Sequence, residues 1–139
     1  MNLVSIDPDT TLFGWAHFQA QRLHACKVAR TPYLPIFPAD TTYLCEVPED
    51  RKKSPARKSD ILTLALAAGR IVGTRDCKFV TPTHWKGQIP KGVHHKRVWE
   101  VLDPEETGIL TKALENTKKG AHPEILDAVA LGLSELWRL

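Results

Sequence analysis

Two apolar segments that each end in a carboxylate and a proline most constrain how this chain can fold. Residues 3–7 form an apolar run that ends at Asp7, and a proline follows directly, which predicts a short buried strand. Residues 41–47 are rich in β-branched and aromatic side chains, carry Glu46 near their end, and are closed by a second proline. The sequence therefore predicts two strands that present Asp7 and Glu46 at their ends.

The remaining segments alternate between strand-like and helix-like patterns. Residues 60–71 place apolar side chains at a 3.6-residue spacing and follow Ser59, a favoured N-cap, so a helix is predicted there. Asp103, a proline and a glutamate three residues on predict the start of another helix, which Gly120 ends. Other strands are predicted at residues 11–21, 22–29 and 77–80, loops at 31–39 (or a weak helix) and 82–92, and helices at 93–102 and from 122 to about 137. This order predicts a single α/β domain over residues 1–139, with a mixed β-sheet flanked by helices.

Composition places the chain among ordinary globular proteins. Of its 139 residues, 42% are hydrophobic and 25% are charged, which is typical of a soluble domain. No apolar run approaches the roughly 20 residues of a membrane helix, and the N-terminus lacks the basic start of a secretion signal. The three cysteines lack the spacing of metal ligands, so we expect reduced thiols and a cytoplasmic location.

Positive charge is concentrated in two segments, although the net charge is only +3. Residues 51–58 hold five cations, residues 86–97 hold four cations and two histidines, and neither segment contains an acid. Segregated charge favours a surface that binds nucleic acid, and a pair of solvated loops is the alternative. For His95, an exposed DNA contact or a solvated ring is favoured over proton transfer. The candidate DNA contacts are Arg51, Lys52, Lys53, Arg57, Lys58, Lys86, Lys91, His95, Lys96 and Arg97.

Two more carboxylates lie on one face of the last predicted helix. Glu124 and Asp127 are three residues apart, and Asp127 is set in an apolar run. A buried, unpaired carboxylate costs several kcal/mol, no basic residue lies within these apolar segments, and a divalent cation such as Mg²⁺ would compensate. Structural alternatives remain, namely a turn for Asp7, a solvent-facing strand end for Glu46 and the helix dipole for Glu124.

Four motifs, taken in order, resemble the RuvC-type Holliday-junction resolvases and span nearly the whole chain. Ile6-Asp7-Pro8 resembles the opening of the family, and Leu44-Cys45-Glu46 resembles its second acidic position. The small-residue helix ending in Ala67-Ala68-Gly69 is similar to the family helix that follows. The closing motif Leu126-Asp127-Ala128 is also similar, with Glu124 three residues before its aspartate. The short chain looks most like the compact members encoded by bacterial viruses.

The resemblance implies a ribonuclease H-like fold and a metal-dependent endonuclease that cuts four-way DNA junctions in pairs. It implies that Asp7, Glu46, Glu124 and Asp127 are catalytic and hold two Mg²⁺ ions, for which Mn²⁺ would substitute. It also implies products with a 5′-phosphate and a 3′-hydroxyl, branched DNA as the partner, and a homodimer formed through the helix at residues 61–71. The expected location is the cytoplasm of a bacterial or virus-infected bacterial cell.

Two positions depart from the family pattern. Asp9 replaces the usual glycine after Asp-Pro, where a turn residue is favoured over an extra metal ligand. Glu49 stands where bacterial members carry an aromatic that stacks on a base, which weakens the case for strict junction selectivity. Tyr33, Phe37 and Trp85 are candidate substitutes for that aromatic. The competing functions are a nuclease for flaps, other branched DNA or RNA hybrids, and a non-catalytic junction-binding protein.

Overall fold

The computed structural model describes residues 1–49, 58–87 and 89–139, which contain a five-stranded mixed sheet. Strands β1 (Asn2–Asp7), β2 (Leu12–Gln19) and β3 (Arg22–Arg30) form an antiparallel meander. β4 (Thr41–Glu46) runs parallel to β1, and β5 (Cys77–Val80) runs parallel to β4. The strand order is therefore β3-β2-β1-β4-β5.

Helices cover both faces of the sheet. One core lies between the sheet and α5, with α3 and α4 beside it, and a second core lies between the sheet and α1. The predicted α/β class, a mixed sheet flanked by helices, is confirmed. None of the described helices is long and apolar enough to cross a membrane. The helices are α1 (Lys58–Val72), α2 (Pro82–Trp85), α3 (Lys91–Val101), α4 (Pro104–Glu115) and α5 (His122–Glu135), with a 3₁₀ turn at Lys119–Ala121 before α5.

Two glycines and one serine let α5 pack closely against the sheet. A Cβ on Gly14 would lie 1.9 Å from the carbonyl oxygen of Glu124, and a Cβ on Gly132 would lie 2.1 Å from the ring of Phe18. The hydroxyl of Ser5 donates to the carbonyl of Ala128 at 2.6 Å. A side chain at Gly14 would overlap the backbone of α5, and one at Gly132 would displace the Phe18 ring, so these glycines set how closely α5 packs on β1 and β2.

A buried ion pair joins the C-terminus to α4 and β3. Glu106 is fully buried, and both of its carboxylate oxygens accept from the guanidinium of Arg138 at 2.8 Å. The amides of Leu23 and Asp103 also donate to it, at 2.7 and 3.1 Å. Burial alone would raise the pKa of Glu106, but these hydrogen bonds outweigh it and lower the pKa to about 2. The predicted capping of α4 by Asp103 is confirmed.

The predicted end of α4 near Gly120 is wrong, since the helix ends at Glu115. The side chains of Asn116 and Thr117 donate to backbone carbonyls of the last turn at 3.0 and 2.8 Å. These groups satisfy carbonyls that would otherwise need a continued helix. The separate 3₁₀ turn then reaches α5.

Two other boundaries also differ from the sequence prediction. α1 begins at Lys58, and the carbonyl of Ser59 accepts from a hydroxyl one turn later at 2.8 Å, so Ser59 lies inside the helix and is not its N-cap. The loop predicted at residues 82–92 contains α2 and the start of α3. Pro82 and Pro90 lie at the two helix starts, where the fixed backbone angle of proline is favourable.

Replacing Gly14 with alanine should destabilise the protein by about 1–3 kcal/mol, because the new methyl group must push α5 away from the sheet. Urea unfolding measures the change. Gly108→Ala is the matched control: Gly108 is exposed on α4, and no atom lies within 4 Å of its added Cβ. That control should gain up to about 1 kcal/mol of helix propensity. Equal effects of the two substitutions would contradict the packing argument.

Replacing Glu106 with glutamine should cost about 3–5 kcal/mol near neutral pH, because Arg138 loses its buried counter-charge. The folded pKa is depressed from 4.5 to about 2, so this contribution is complete above pH 4.5 and is lost as the pH falls toward 2. Urea unfolding near neutral pH and at about pH 3 should show a narrower gap between wild type and variant in acid.

Glu105→Gln is the matched control for Glu106. Glu105 is exposed, and its ion pair with Arg22, at 3.2 Å, is also exposed. An exposed pair contributes only about 0–1 kcal/mol, so this control should change stability little at either pH. A gap between wild type and E106Q that is the same in acid as at neutral pH would contradict the assignment.

Candidate active site

Four carboxylates meet at the edge of the sheet where β1 and β4 end. Asp7 ends β1 and Glu46 ends β4, and these strands are parallel neighbours. Glu124 and Asp127 lie in the first turns of α5. The backbone of Glu124 lies against Gly14, which is the strand partner of Asp7. The structure thus brings together all four carboxylates that the sequence motifs single out.

Like charge dominates the surroundings of Asp7. Its pKa is raised well above the ordinary 3.8, first by burial and then by the charges of Asp127, Glu46 and Glu124. The nearby ammonium of Lys86 opposes this rise only in part. Asp7 is therefore the centre of an acidic cluster whose negative charge is not balanced by the surrounding side chains.

Asp127 is held by two groups from α3. His95 Nε2 lies 2.7 Å from its Oδ1, and Lys91 Nζ lies 3.1 Å from its Oδ2. Burial would raise the pKa of Asp127, but the hydrogen bond from His95 and the charge of Lys91 outweigh burial and lower it. Asp127 is therefore the one member of the cluster that is stabilised as a carboxylate.

Glu46 is held by two neighbouring residues around the end of α2. The indole Nε1 of Trp85 donates to its Oε2 at 2.6 Å, and Lys86 Nζ lies 3.7 Å from the same oxygen. The Lys86 ammonium also lies over the Trp85 ring, 5.2 Å from its centroid. The pKa of Glu46 is nevertheless raised, first by burial, which outweighs these partners, and to a smaller extent by the charge of Asp127.

Glu124 faces Asp9. Burial raises the pKa of Glu124, and a hydrogen bond to the Asp9 carboxyl and its charge raise it further. Asp9 Oδ1 also accepts from the amide of Thr10 at 2.6 Å, which is the local turn bond that the sequence favours for it. Lys118 lines the cleft that these two carboxylates share.

The donor set fits hard divalent cations. Carboxylate oxygens from separate elements are the ligands that Mg²⁺ prefers, and the raised pKa of Asp7 reflects burial and like-charge repulsion that a bound cation would offset. Within residues 1–49, 58–87 and 89–139, no three acidic, histidine or cysteine side chains already stand in the arrangement of a metal shell. Ammonium, indole and imidazole groups occupy positions beside Glu46 and Asp127 instead.

The predicted DNA contacts fall into three groups. Lys58, Lys96 and Arg97 are exposed on α1 and α3. Lys86, Lys91 and His95 lie against the carboxylates, and His95 is only 17% exposed, which differs from the solvated or DNA-facing ring favoured by the sequence. Four others lie outside the described residues, namely Arg51, Lys52, Lys53 and Arg57.

Sequence reasoning did not find two residues of this site. The sequence suggests Trp85 only as a base-stacking group. Its hydrogen bond to Glu46 joins residues 39 positions apart, and no local sequence pattern predicts a contact at that separation. Lys118 precedes the 3₁₀ turn that leads into α5. Its one signal is a basic residue a few positions before Glu124, and that signal is weak.

The departure at Glu49 has a structural role. Glu49 Oε1 accepts from the backbone amide of Thr83 at 3.0 Å and also from the Thr83 hydroxyl. The side chain thus ties the segment after β4 to α2. Of the three candidate stacking residues, Phe37 packs against Trp15, Trp85 binds Glu46, and Tyr33 is 72% exposed.

No protein-family model and no curated protein sequence matches the chain. Solved structures do match it over 99% of its length. RuvC of Thermus thermophilus in complex with Holliday junction substrate is similar with a TM-score of 0.53 and 16% identity, covering 93% of that chain. A further Thermus thermophilus RuvC structure matches with a TM-score of 0.53 and 17% identity, covering 94% of that chain. Fowlpox virus resolvase in complex with Holliday junction DNA matches with a TM-score of 0.51 and 18% identity, covering 97% of that chain.

These matches define the fold. It belongs to the ribonuclease H-like class, with a mixed five-stranded sheet flanked by helices. More narrowly, it is the fold of the RuvC-type Holliday-junction resolvases, as the order of the sequence motifs predicts.

Asp7→Asn should stabilise the metal-free protein, because an amide removes charge from the centre of the other three carboxylates. Thermal and urea unfolding in chelator near neutral pH should show a gain in stability that is larger than the effect of the control variant. Glu115→Gln, on the exposed side of α4, makes the same chemical change outside the cluster and should alter stability by less than about 0.5 kcal/mol. A less stable D7N protein would refute the repulsion argument.

Proposed function

We propose that residues 1–139 form a single nuclease domain that resolves four-way DNA junctions by paired, metal-dependent phosphodiester hydrolysis. The observation that carries this proposal is the meeting of Asp7, Glu46, Glu124 and Asp127 at one sheet edge. The fold is shared with resolvases whose structures contain Holliday junction DNA, which supports the choice of substrate. Since one fold serves many activities, the acidic cluster is the stronger argument for nuclease chemistry.

The four carboxylates would hold two Mg²⁺ ions, with Mn²⁺ as a substitute. Bound divalent cations would supply the Lewis acidity that activates water and stabilises the leaving oxygen, giving a 5′-phosphate and a 3′-hydroxyl. The protein's own contribution is to hold the oxygens close against their repulsion. Asp7 is expected to contact both ions because it feels the charge of all three other carboxylates. Glu46 and Asp127 would each serve one ion, and Glu124 would be auxiliary.

Basic side chains would bind the DNA backbone on the α3 side of the carboxylates. Lys96 and Arg97 are exposed there, and Lys86 and Lys91 lie at the cluster itself. Phosphate contacts of this kind are independent of sequence and weaken with salt. On the basis of sequence, the basic segment at residues 51–58 would add further phosphate contacts.

A homodimer would place two such sites on one junction. α1 buries Ala67, Ala68 and Ile71, yet Leu62 and Leu66 are 64% and 70% exposed. The two leucines are four residues apart and share a face of the helix. Paired cuts in a symmetric junction call for a twofold axis, and a self-complementary apolar helix face is suited to one.

The expected place of action is the cytoplasm of a bacterial or virus-infected bacterial cell. Cys26, Cys45 and Cys77 are all free thiols, and burial raises the pKa of Cys26 to about 12 and that of Cys77 to about 11. Such unreactive thiols are compatible with a reducing compartment.

A broader branched-DNA, flap or hybrid nuclease is the second candidate function, and the role of Glu49 favours it. This side chain anchors α2 at the position where bacterial relatives stack an aromatic on a base. The same fold and carboxylates would serve such an enzyme. A non-catalytic junction-binding protein would have no need for four mutually repelling carboxylates.

Incubation with a labelled four-way junction, a matched duplex and a flap tests the proposal. With Mg²⁺ the junction alone should receive paired symmetric nicks, and chelator should abolish them. Asp7→Asn should reduce cutting at least about a thousandfold, because several kcal/mol of metal-dependent stabilisation is lost. The same variant should still shift the junction on a gel, and Glu115→Gln should cut like the wild type.

Each other result points to a different function. Cutting of every branched substrate would support the proposed active site but would favour the broader nuclease over a junction resolvase. Tight junction binding without any metal-dependent cutting would leave only the non-catalytic function.

A further inference from the structure

The ring of His95 faces the acidic cluster. Its Nε2 lies 2.7 Å from Asp127 Oδ1, and the two side chains are only 17% and 10% exposed. A carboxylate oxygen can only accept, so the imidazole donates its Nε2 hydrogen. A histidine in this position presents little surface to a DNA backbone, in contrast to its exposed neighbours Lys96 and Arg97.

The two oxygens of Asp127 have partners of different character. Lys91, one helical turn before His95, contacts Oδ2 at 3.1 Å through a side chain that is 59% exposed. A lysine stem has many rotamers and is easily rearranged, whereas an imidazole that is largely buried is not. His95 therefore sets the orientation of the Asp127 carboxylate, and the contact of Lys91 is the more replaceable one.

The residue before His95 is packed inside the protein and fixes this part of α3. His94 is buried, and its ring lies 5.0 Å from that of Trp85, centroid to centroid. Trp85 in turn donates to Glu46 at 2.6 Å. Two adjacent residues of α3 thus connect the helix to both sides of the cluster, directly at Asp127 and through Trp85 at Glu46.

We propose that His95 is a positioning residue that holds Asp127 for divalent-cation binding, and that it is not primarily a DNA contact. Its hydrogen bond holds Oδ1, and Oδ2, which only the exposed Lys91 ammonium contacts here, would be the oxygen available to a cation. This inference rests on the proposed metal-dependent function. Groups that orient metal ligands in this way typically contribute about 10- to 100-fold in metal affinity.

Thermal unfolding during a titration with Mn²⁺ or Mg²⁺, without DNA, tests the proposal independently of activity. His95→Ala should raise the half-saturating cation concentration by about 10- to 100-fold. His95→Gln, whose amide still donates, should recover much of the wild-type affinity and covers the case in which the alanine variant folds poorly. His84→Ala removes an exposed histidine from α2 and should titrate like the wild type.

A second measurement separates positioning from DNA contact. The salt dependence of junction binding in chelator should be the same for His95→Ala and the wild type, whereas Lys96→Ala should lower the slope by about one. Two results would overturn the assignment of His95 alone. One is a half-saturating cation concentration in H95A equal to that of the wild type. The other is a salt slope of junction binding that H95A lowers as much as K96A does. A wild-type protein that binds no divalent cation would overturn this inference together with the metal-dependent function.

Discussion

Repulsion among four carboxylates is the constraint on which the rest of this structure depends. Asp7, Glu46, Glu124 and Asp127 come from three different elements, and burial deepens the cost of holding their charges together. They stay together because packing elsewhere leaves α5 no other position. Gly14 leaves room for the backbone of α5 and Gly132 leaves room for the ring of Phe18, and the cores on both faces of the sheet supply the stabilisation that the cluster lacks.

The segment from α2 to α3 provides the opposite charge. Trp85 and Lys86 contact Glu46, and Lys91 and His95 contact Asp127. One stretch of chain therefore places donors and positive charge beside both of these carboxylates. Asp7 lies between these edges, and the opposing charge of Lys86 leaves its pKa well raised. The balance is therefore complete only at Asp127, whose pKa is lowered, and it is least complete at Asp7.

The elements that the sequence predicted well are those with local signals. β1 and β4 were found from apolar runs closed by proline, and α4 from its capping residues. The contacts within the site had no such signal, because His95 and Asp127 are 32 positions apart. The lysines, arginine and histidines of residues 91–97 predict a solvent-exposed helix face. In the fold, α3 packs against α5, and both His94 and His95 are turned inward. Arg138 and Glu106, also 32 positions apart, were missed for the same reason.

Glu49 supports the acidic cluster indirectly, through α2. Its bonds to Thr83 fix α2, and α2 carries the Trp85 that binds Glu46. An aromatic hydrocarbon ring at this position could not accept the two hydrogen bonds from Thr83. Tyr33 is the exposed aromatic among the three candidates. Its loop is held at the same sheet edge, because the Thr31 hydroxyl donates to the Asp9 carbonyl at 2.6 Å. The segment after β3 thus lies beside Asp9 and carries an exposed aromatic ring.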